Sequence, residues 1–265
     1  MDARAVQSPQ VEYLLRLGDS ALVLGQRLGE WTGHGPVLEE DIAMANVALD
    51  LIGQARLLLS HAGALEGAGR DEDALAYFRD ARAFRNYTIC ELPNSGLEKG
   101  HTQSGDYAFT IVRNLLYCAW QVQLWQALAQ SGDAQLAAIA AKSVKESGYH
   151  LRHAADWTIR FGDGTEESHA RAQRALDALW PYTNELFAGD AVDQAVSAAG
   201  IGVPPRSLRE PWLAQVGAVL REATLTLPRD SQFLSTGKTG LHSEHFDFLL
   251  AEMQVLARAH PGAVW

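Results

Sequence analysis

Apolar residues recur at helical spacing along most of the chain. Over 14–28 they fall at Leu14, Leu17, Ala21, Leu22, Leu24 and Leu28, and Gly33, Gly35 and Pro36 then stop the run. A second, longer helix is expected over 37–61, with Glu39, Glu40 and Asp41 in its first turn, where the helix dipole favours acids. A shorter helix is expected over 72–84. The segment 93–106 mixes Pro, Asn, Ser and Gly with charges and reads as a loop. The spacing then predicts helices over 107–130, 134–161, 166–187, 209–226 and 243–260. Between them stand Ser131-Gly132-Asp133, Gly162-Asp163-Gly164 and an irregular stretch over 227–241; Pro261-Gly262 closes the last. No alternation of β-branched residues predicts a sheet. Two long helical hairpins predict an all-α, ferritin-like four-helix bundle with additional C-terminal helices. Neither a linker nor a short-period repeat divides 1–265, so one domain is expected.

A bundle with helices this long raises the question of a metal centre. Di-metal bundles take one Glu from each of two helices and Glu-x-x-His from each of the other two. Residues i and i+3 share a face, so such a pair reaches one site. Helix 134–161 comes nearest, with Glu146, Tyr149, His150 and His153 on one face; the i+3 ligand is a tyrosine and a histidine follows one position late. On helix 37–61, Asn46, Asp50 and Gln54 form a polar stripe, but the i+3 neighbour of Asp50 is Gly53, which coordinates nothing. Hairpin geometry sets Asp19 opposite Asp50 and Cys118 opposite Glu146. Between Tyr107 and Gly132 the sequence has no Asp, Glu or His. One ligand helix is empty, and a working di-iron centre is not expected. Instead, Asp19, Asp50, Glu146 and His150 are expected to approach one another in a buried polar network with Asn46, Gln54 and His153. Lys142, one turn before Glu146, would place its ammonium where a metal would sit.

Composition narrows the function classes. Of 265 residues 47% are hydrophobic, which suits a packed core rather than disorder. The formal net charge of −10, without any Lys/Arg cluster, argues against nucleic acid. No uninterrupted apolar run approaches the ~18 residues of a membrane span, and residues 1–12 lack the pattern of a secretory signal. Cys90 and Cys118 form no CxxC pair. A reduced, cytoplasmic protein is expected.

Several blocks carry a resemblance. They are the run from Arg16 to Trp31, Gly33-His34-Gly35-Pro36, Ala45-Asn46, and Leu49-Asp-Leu-Ile-Gly-Gln-Ala-Arg56. Further along stand Lys145-Glu-Ser-Gly-Tyr-His-Leu-Arg152, Gly240-Leu-His-Ser-Glu-His245 and Leu250-Ala-Glu-Met-Gln254. Over nearly its whole length the chain resembles the C subunits of bacterial phenylacetyl-CoA epoxidase (phenylacetate-CoA oxygenase) complexes. These are ferritin-like relatives of the catalytic A subunit. The segment 90–105 departs from that pattern, and Cys118 stands where a polar or acidic residue is expected. The resemblance implies a non-catalytic subunit without a cofactor of its own. It would support an A subunit that holds the di-iron site and epoxidises the ring of phenylacetyl-CoA, with electrons from a reductase subunit. Self-association of the isolated chain is a further expectation.

Two rival functions are an unusual di-metal oxidase using Asp19, Asp50, Glu146 and His150, and a self-contained acyl-CoA binding module. His242-Ser243-Glu244-His245 has metal-like spacing, yet it opens a helix after a Gly-containing loop, and a structural role is expected. Lys238, His242, Glu244 and His245 are the residues there open to a partner or ligand. Lys238-Thr239-Gly240 lacks the glycine spacing of a phosphate loop.

Overall fold

The computed structural model describes residues 8–97 and 105–263. Four long helices carry the fold: α1 (Pro9–Gly29), α2 (Leu38–Glu66), α5 (Tyr107–Leu128) and α6 (Ala134–Gly162). Between the hairpins lie the short α3 (Glu72–Tyr77) and α4 (Thr88–Glu91). After them come α7 (Glu166–Leu179), α8 (Asn184–Phe187), α9 (Ala191–Ala198), α10 (Arg209–Glu222) and α11 (Phe246–Ala259). Among the described residues there is no strand, only an isolated bridge between Thr236 and Leu241.

Capping side chains set the helix starts. Ser8 accepts from the Val11 amide, with Pro9 in the first turn, where its missing N–H costs nothing. Asp106 caps α5 and Asp133 caps α6. Asp133 does more than cap: its second oxygen lies 2.6 Å from Gln10 Nε2 of α1 and 2.6 Å from His61 Nε2 of α2. One carboxylate therefore ties the first hairpin to the start of α6. At the far end, a Cβ at Gly162 would lie 1.8 Å from the Ala223 carbonyl oxygen, so only glycine lets α6 meet the end of α10.

The predicted helix 166–187 is interrupted, because Pro181 cannot continue the ladder and the chain passes through a 3-10 turn at Trp180–Thr183 into α8. The predicted helix 72–84 stops at Tyr77, and the last helix starts at Phe246 rather than 243. Helices α4 and α9 have no counterpart in the sequence expectations. Within the expected loop 93–106, positions 98–104 lie outside the described residues.

The core gathers Trp120, Trp125, Tyr117, Trp212, Phe84 and Phe246 with the leucines of α1, all buried. Helix α2 is more apolar than its buried face requires. Although charged and polar residues interrupt it, by length and composition it is apolar enough to cross a membrane, and less than half of its apolar stretch is buried in the protein. Leu38, Ile42, Leu49 and Ile52 recur at helical spacing on its exposed side.

Candidate functional site

The seam between α2 and α6 holds most of the polar residues singled out above. His150 Nε2 lies 2.9 Å from Asp50 Oδ2, and Gln54 donates to Glu146 Oε2 at 2.9 Å. Further along the seam, Glu40 Oε2 accepts from the Tyr107 hydroxyl at 2.5 Å and lies 2.8 Å from His153 Nε2. The i, i+4, i+7 spacing of Glu146, His150 and His153 brings all three to α2. Burial lowers the pKa of His150 despite the opposing pull of Asp50, so its neutral form is favoured. Burial pushes the Glu40 carboxyl up, but the hydrogen bonds from Tyr107 and His153 outweigh it and the net shift is downward.

Asp19 does not join this group. It is fully buried on the other side of α1, where Arg79 grips both its oxygens and the Arg85 amide donates to it at 2.8 Å. The expected approach of Asp19 to Asp50, Glu146 and His150 is thus corrected: a buried carboxylate must be paired, and Arg79 supplies the charge. Three further expectations change. Asn46 is exposed and belongs to no buried network. Lys142 meets Glu146 Oε1 at 3.4 Å, but with its side chain 62% exposed it sits on the surface and not in a metal position. Tyr149 is 55% exposed, its ring edge-on to His150 at 6.5 Å, and it does not join the buried side of the seam. Gly53 lies beside the seam in open space, since a Cβ there would meet nothing within 4 Å. Cys118 is buried in α5, and burial pushes its thiol up to about 12.

The donor set fits a di-iron centre poorly. Asp50, Glu146, Glu40 and Asp19 each already hold an imidazole, amide, phenol or guanidinium, and α5 offers no acid. Among the described residues no group of three or more His, Cys, Asp or Glu converges as a metal site. What the interior offers is neutral: Asn114 Oδ1 and Gln121 Oε1 on α5, Ser143 Oγ and Ser147 Oγ on α6, and Gln54 Oε1 on α2, all buried without a protein partner. Amide and hydroxyl oxygens of this kind suit ordered water better than they balance two di- or trivalent irons.

The C-terminal candidates mostly serve the fold. His242 Nδ1 lies 2.8 Å from the fully buried Glu91, which also accepts from Asn86 and from the Ser243 amide. Lys238 is 5% exposed and spends its ammonium on Asp193, at 3.0 Å, and on the Ala188 carbonyl. It is therefore not free to meet a ligand, which corrects that expectation. The His245 carbonyl accepts from Arg27 at 3.0 Å, while Glu244 is exposed.

Six partners escaped sequence reasoning: Arg79, Glu40, Glu91, Arg16 and Asp193, all buried, and the half-buried Asp190. Glu40 is the one with a detectable signal. It sits i−4 to the buried Met44 and so shares the inward face of α2, whereas its place in the first turn suggested only a dipole effect. Arg79 meets Asp19 across 60 residues, and no local spacing encodes that.

Comparison with known proteins places this geometry in context. The family model described as phenylacetic acid catabolic protein matches residues 2–265. A relative from Escherichia coli (strain K12), the C subunit of 1,2-phenylacetyl-CoA epoxidase, is 50% identical over 253 residues, covering 96% of this chain and 98% of the relative. The helical architecture, the resemblance read from the sequence blocks and both matches agree: the chain belongs to the phenylacetic acid catabolic protein family, with its all-α, ferritin-like fold.

Proposed function

We propose that this protein is the non-catalytic C-type subunit of a multicomponent di-iron oxygenase that epoxidises phenylacetyl-CoA in phenylacetate catabolism. It works in the cytoplasm and supports a catalytic A subunit that carries the metal. The observation that carries this reading is the state of the α2–α6 seam. Its acids are committed to protein partners, Asp50 to His150, Glu146 to Gln54 and Glu40 to Tyr107 and His153, and α5 contributes none. A bundle so arranged keeps the ferritin-like shape needed to pair with a relative while lacking the charge that would hold two irons. The exposed apolar side of α2 (Leu38, Ile42, Leu49, Ile52) is the surface on which that relative packs. A stable contact of this kind buries roughly 1,200–2,000 Å² or more. Other subunits, including a reductase, complete the assembly, and the isolated chain covers its apolar side by self-association.

Co-expression with the A subunit, followed by size-exclusion chromatography with mass measurement and metal analysis, tests the reading. The expected result is a co-eluting complex whose iron tracks the A subunit, with the chain alone iron-free after refolding in ferrous iron. Stoichiometric iron in the chain alone, or a chain that never co-elutes, overturns it.

A further inference from the structure

A second uncovered apolar surface lies on α11. The inward face of this helix is spent on folding: Phe246, Leu249 and Leu250 are buried, and Gln254 Nε2 donates to the Ala76 and Arg79 carbonyls at 3.0 Å each. The opposite face carries Phe248, Ala251 and Val255 at i, i+3 and i+7, so the three form one exposed stripe. Phe248 is 76% exposed, more than any other large hydrophobic among the described residues. Between the stripe and the 3-10 turn at Ala81–Ala83 runs a groove of about 420 Å³, lined by Ala81, Leu250, Ala251 and Val255. Acids border this face. At about 100° per residue, Asp247 falls on one flank of the stripe and Glu252 on the other, while Glu244 stands just before the helix. All three are exposed and make no ion pair among the described residues. The cation that lines the groove, Arg258, is engaged by the Tyr77 and Arg79 carbonyls and reaches Asp80 at 3.4 Å. An apolar patch rimmed by polar residues is the usual mark of a contact surface.

We propose that this face docks an amphipathic helix of a partner protein whose apolar stripe is flanked by Lys or Arg. One bulky apolar side chain of that helix fills the groove beside Val255, its neighbours cover Phe248, and its cations meet Asp247 and Glu252. Charge decides between occupants. A second copy of this chain would set Asp247 and Glu252 against the same acids whichever way two α11 helices ran, with Arg258 already engaged. An anionic membrane surface would meet the same repulsion. None of these residues belongs to α2, so this surface stands whether or not a relative packs there.

Fluorescence anisotropy on the full chain tests this with two labelled, designed helices of roughly 20 residues, long enough to hold helical structure. They share a leucine stripe, flanked by Lys in one and by Glu in the other. The Lys helix is expected to bind saturably and to weaken as salt rises, and the Glu helix not to bind. Phe248→Asp with Val255→Asp is expected to weaken the Lys helix at least about tenfold, while the thermal melt stays within a few degrees because both positions are exposed. Asp247→Asn with Glu252→Gln is expected to reduce the salt dependence. Ile42→Asp with Leu49→Asp on α2 is expected to leave binding unchanged, which separates this surface from the one used in the subunit reading. No saturable binding, equal binding of the Glu helix, a Lys helix indifferent to the charges at 248 and 255, or loss of binding in the α2 variant overturns the proposal.

Discussion

Asp19 shows how much a single buried charge can mislead when judged by register alone. Hairpin geometry sets it opposite Asp50, yet it turns to Arg79, and the guanidinium in turn stacks 4.2 Å over Phe84. The pair is almost completely excluded from water, with the Arg79 and Asp19 side chains 3% and 0% exposed. Removing one member strands the other charge. Asp19→Asn is therefore expected to destabilise the chain by about 3–5 kcal/mol, measured by urea unfolding; a loss below about 1 kcal/mol would show that Arg79 finds water or another acid. His150 carries a different consequence. Its folded-state pKa lies below the ordinary 6.5 because burial disfavours the imidazolium. Between those two values the unfolded chain binds more protons than the folded one. Stability from this residue is therefore full above about pH 6.5 and falls as the pH drops through that window, by at most about 1.4 kcal/mol per pH unit. His150→Gln is expected to flatten that part of the dependence of unfolding free energy on pH. A steeper acid limb in the variant would reverse the assignment.

At the scale of elements, the long helices are legible in the sequence; of the short ones α4 and α9 are not, and α3 and α8 are covered only by longer expected helices. Four apolar-rich segments of twenty residues or more, α1 and α6 amphipathic and α5 buried nearly all round, dominate the pattern, and their breaks at Gly33–Pro36 and Ser131–Asp133 are chemically loud. Helices of four residues such as α4 and α8 have no period to read; they exist because tertiary partners hold them, Glu185 of α8 accepting from the Thr88 amide at 2.9 Å and from Ser235. The seam was half legible for the same reason. Helical spacing puts Glu146, His150 and His153 on one face, but it does not say which side of α2 turns outward, and Asn46, expected inside, is exposed. Gly53, empty as a ligand position, is open to improvement as a helix residue. It stands mid-helix with nothing within 4 Å of a Cβ. Gly53→Ala is expected to raise the stability of the isolated chain by about 0.5–1 kcal/mol, through the lost freedom of the unfolded backbone, and thermal melts will show it. A lower melting temperature would show that a Cβ is not tolerated at this position.

At the scale of the whole molecule, the uncovered apolar surface matters more than the polar seam between α2 and α6. Helix α2 places Met44, Val47, Leu51 and Leu58 in the core and Leu38, Ile42, Leu49 and Ile52 outside it, so one helix is apolar on two sides. The core side is fixed by folding. The outer side has no duty in the chain alone, and Leu49 remains 65% exposed. A charge placed there should leave the fold intact and act only on association, because surface substitutions away from buried networks shift stability by about 0.5 kcal/mol or less. Leu49→Asp combined with Ile42→Asp is expected to leave the melting temperature of the monomeric chain within a few degrees of the starting protein. The same pair of changes is expected to prevent co-elution with the A subunit, since two buried, unpaired carboxylates at a contact cost several kcal/mol. If the doubly charged protein still enters the complex at full stoichiometry, the partner packs elsewhere, and the exposed residues Phe248 and Val255 of α11 become the surface to test next.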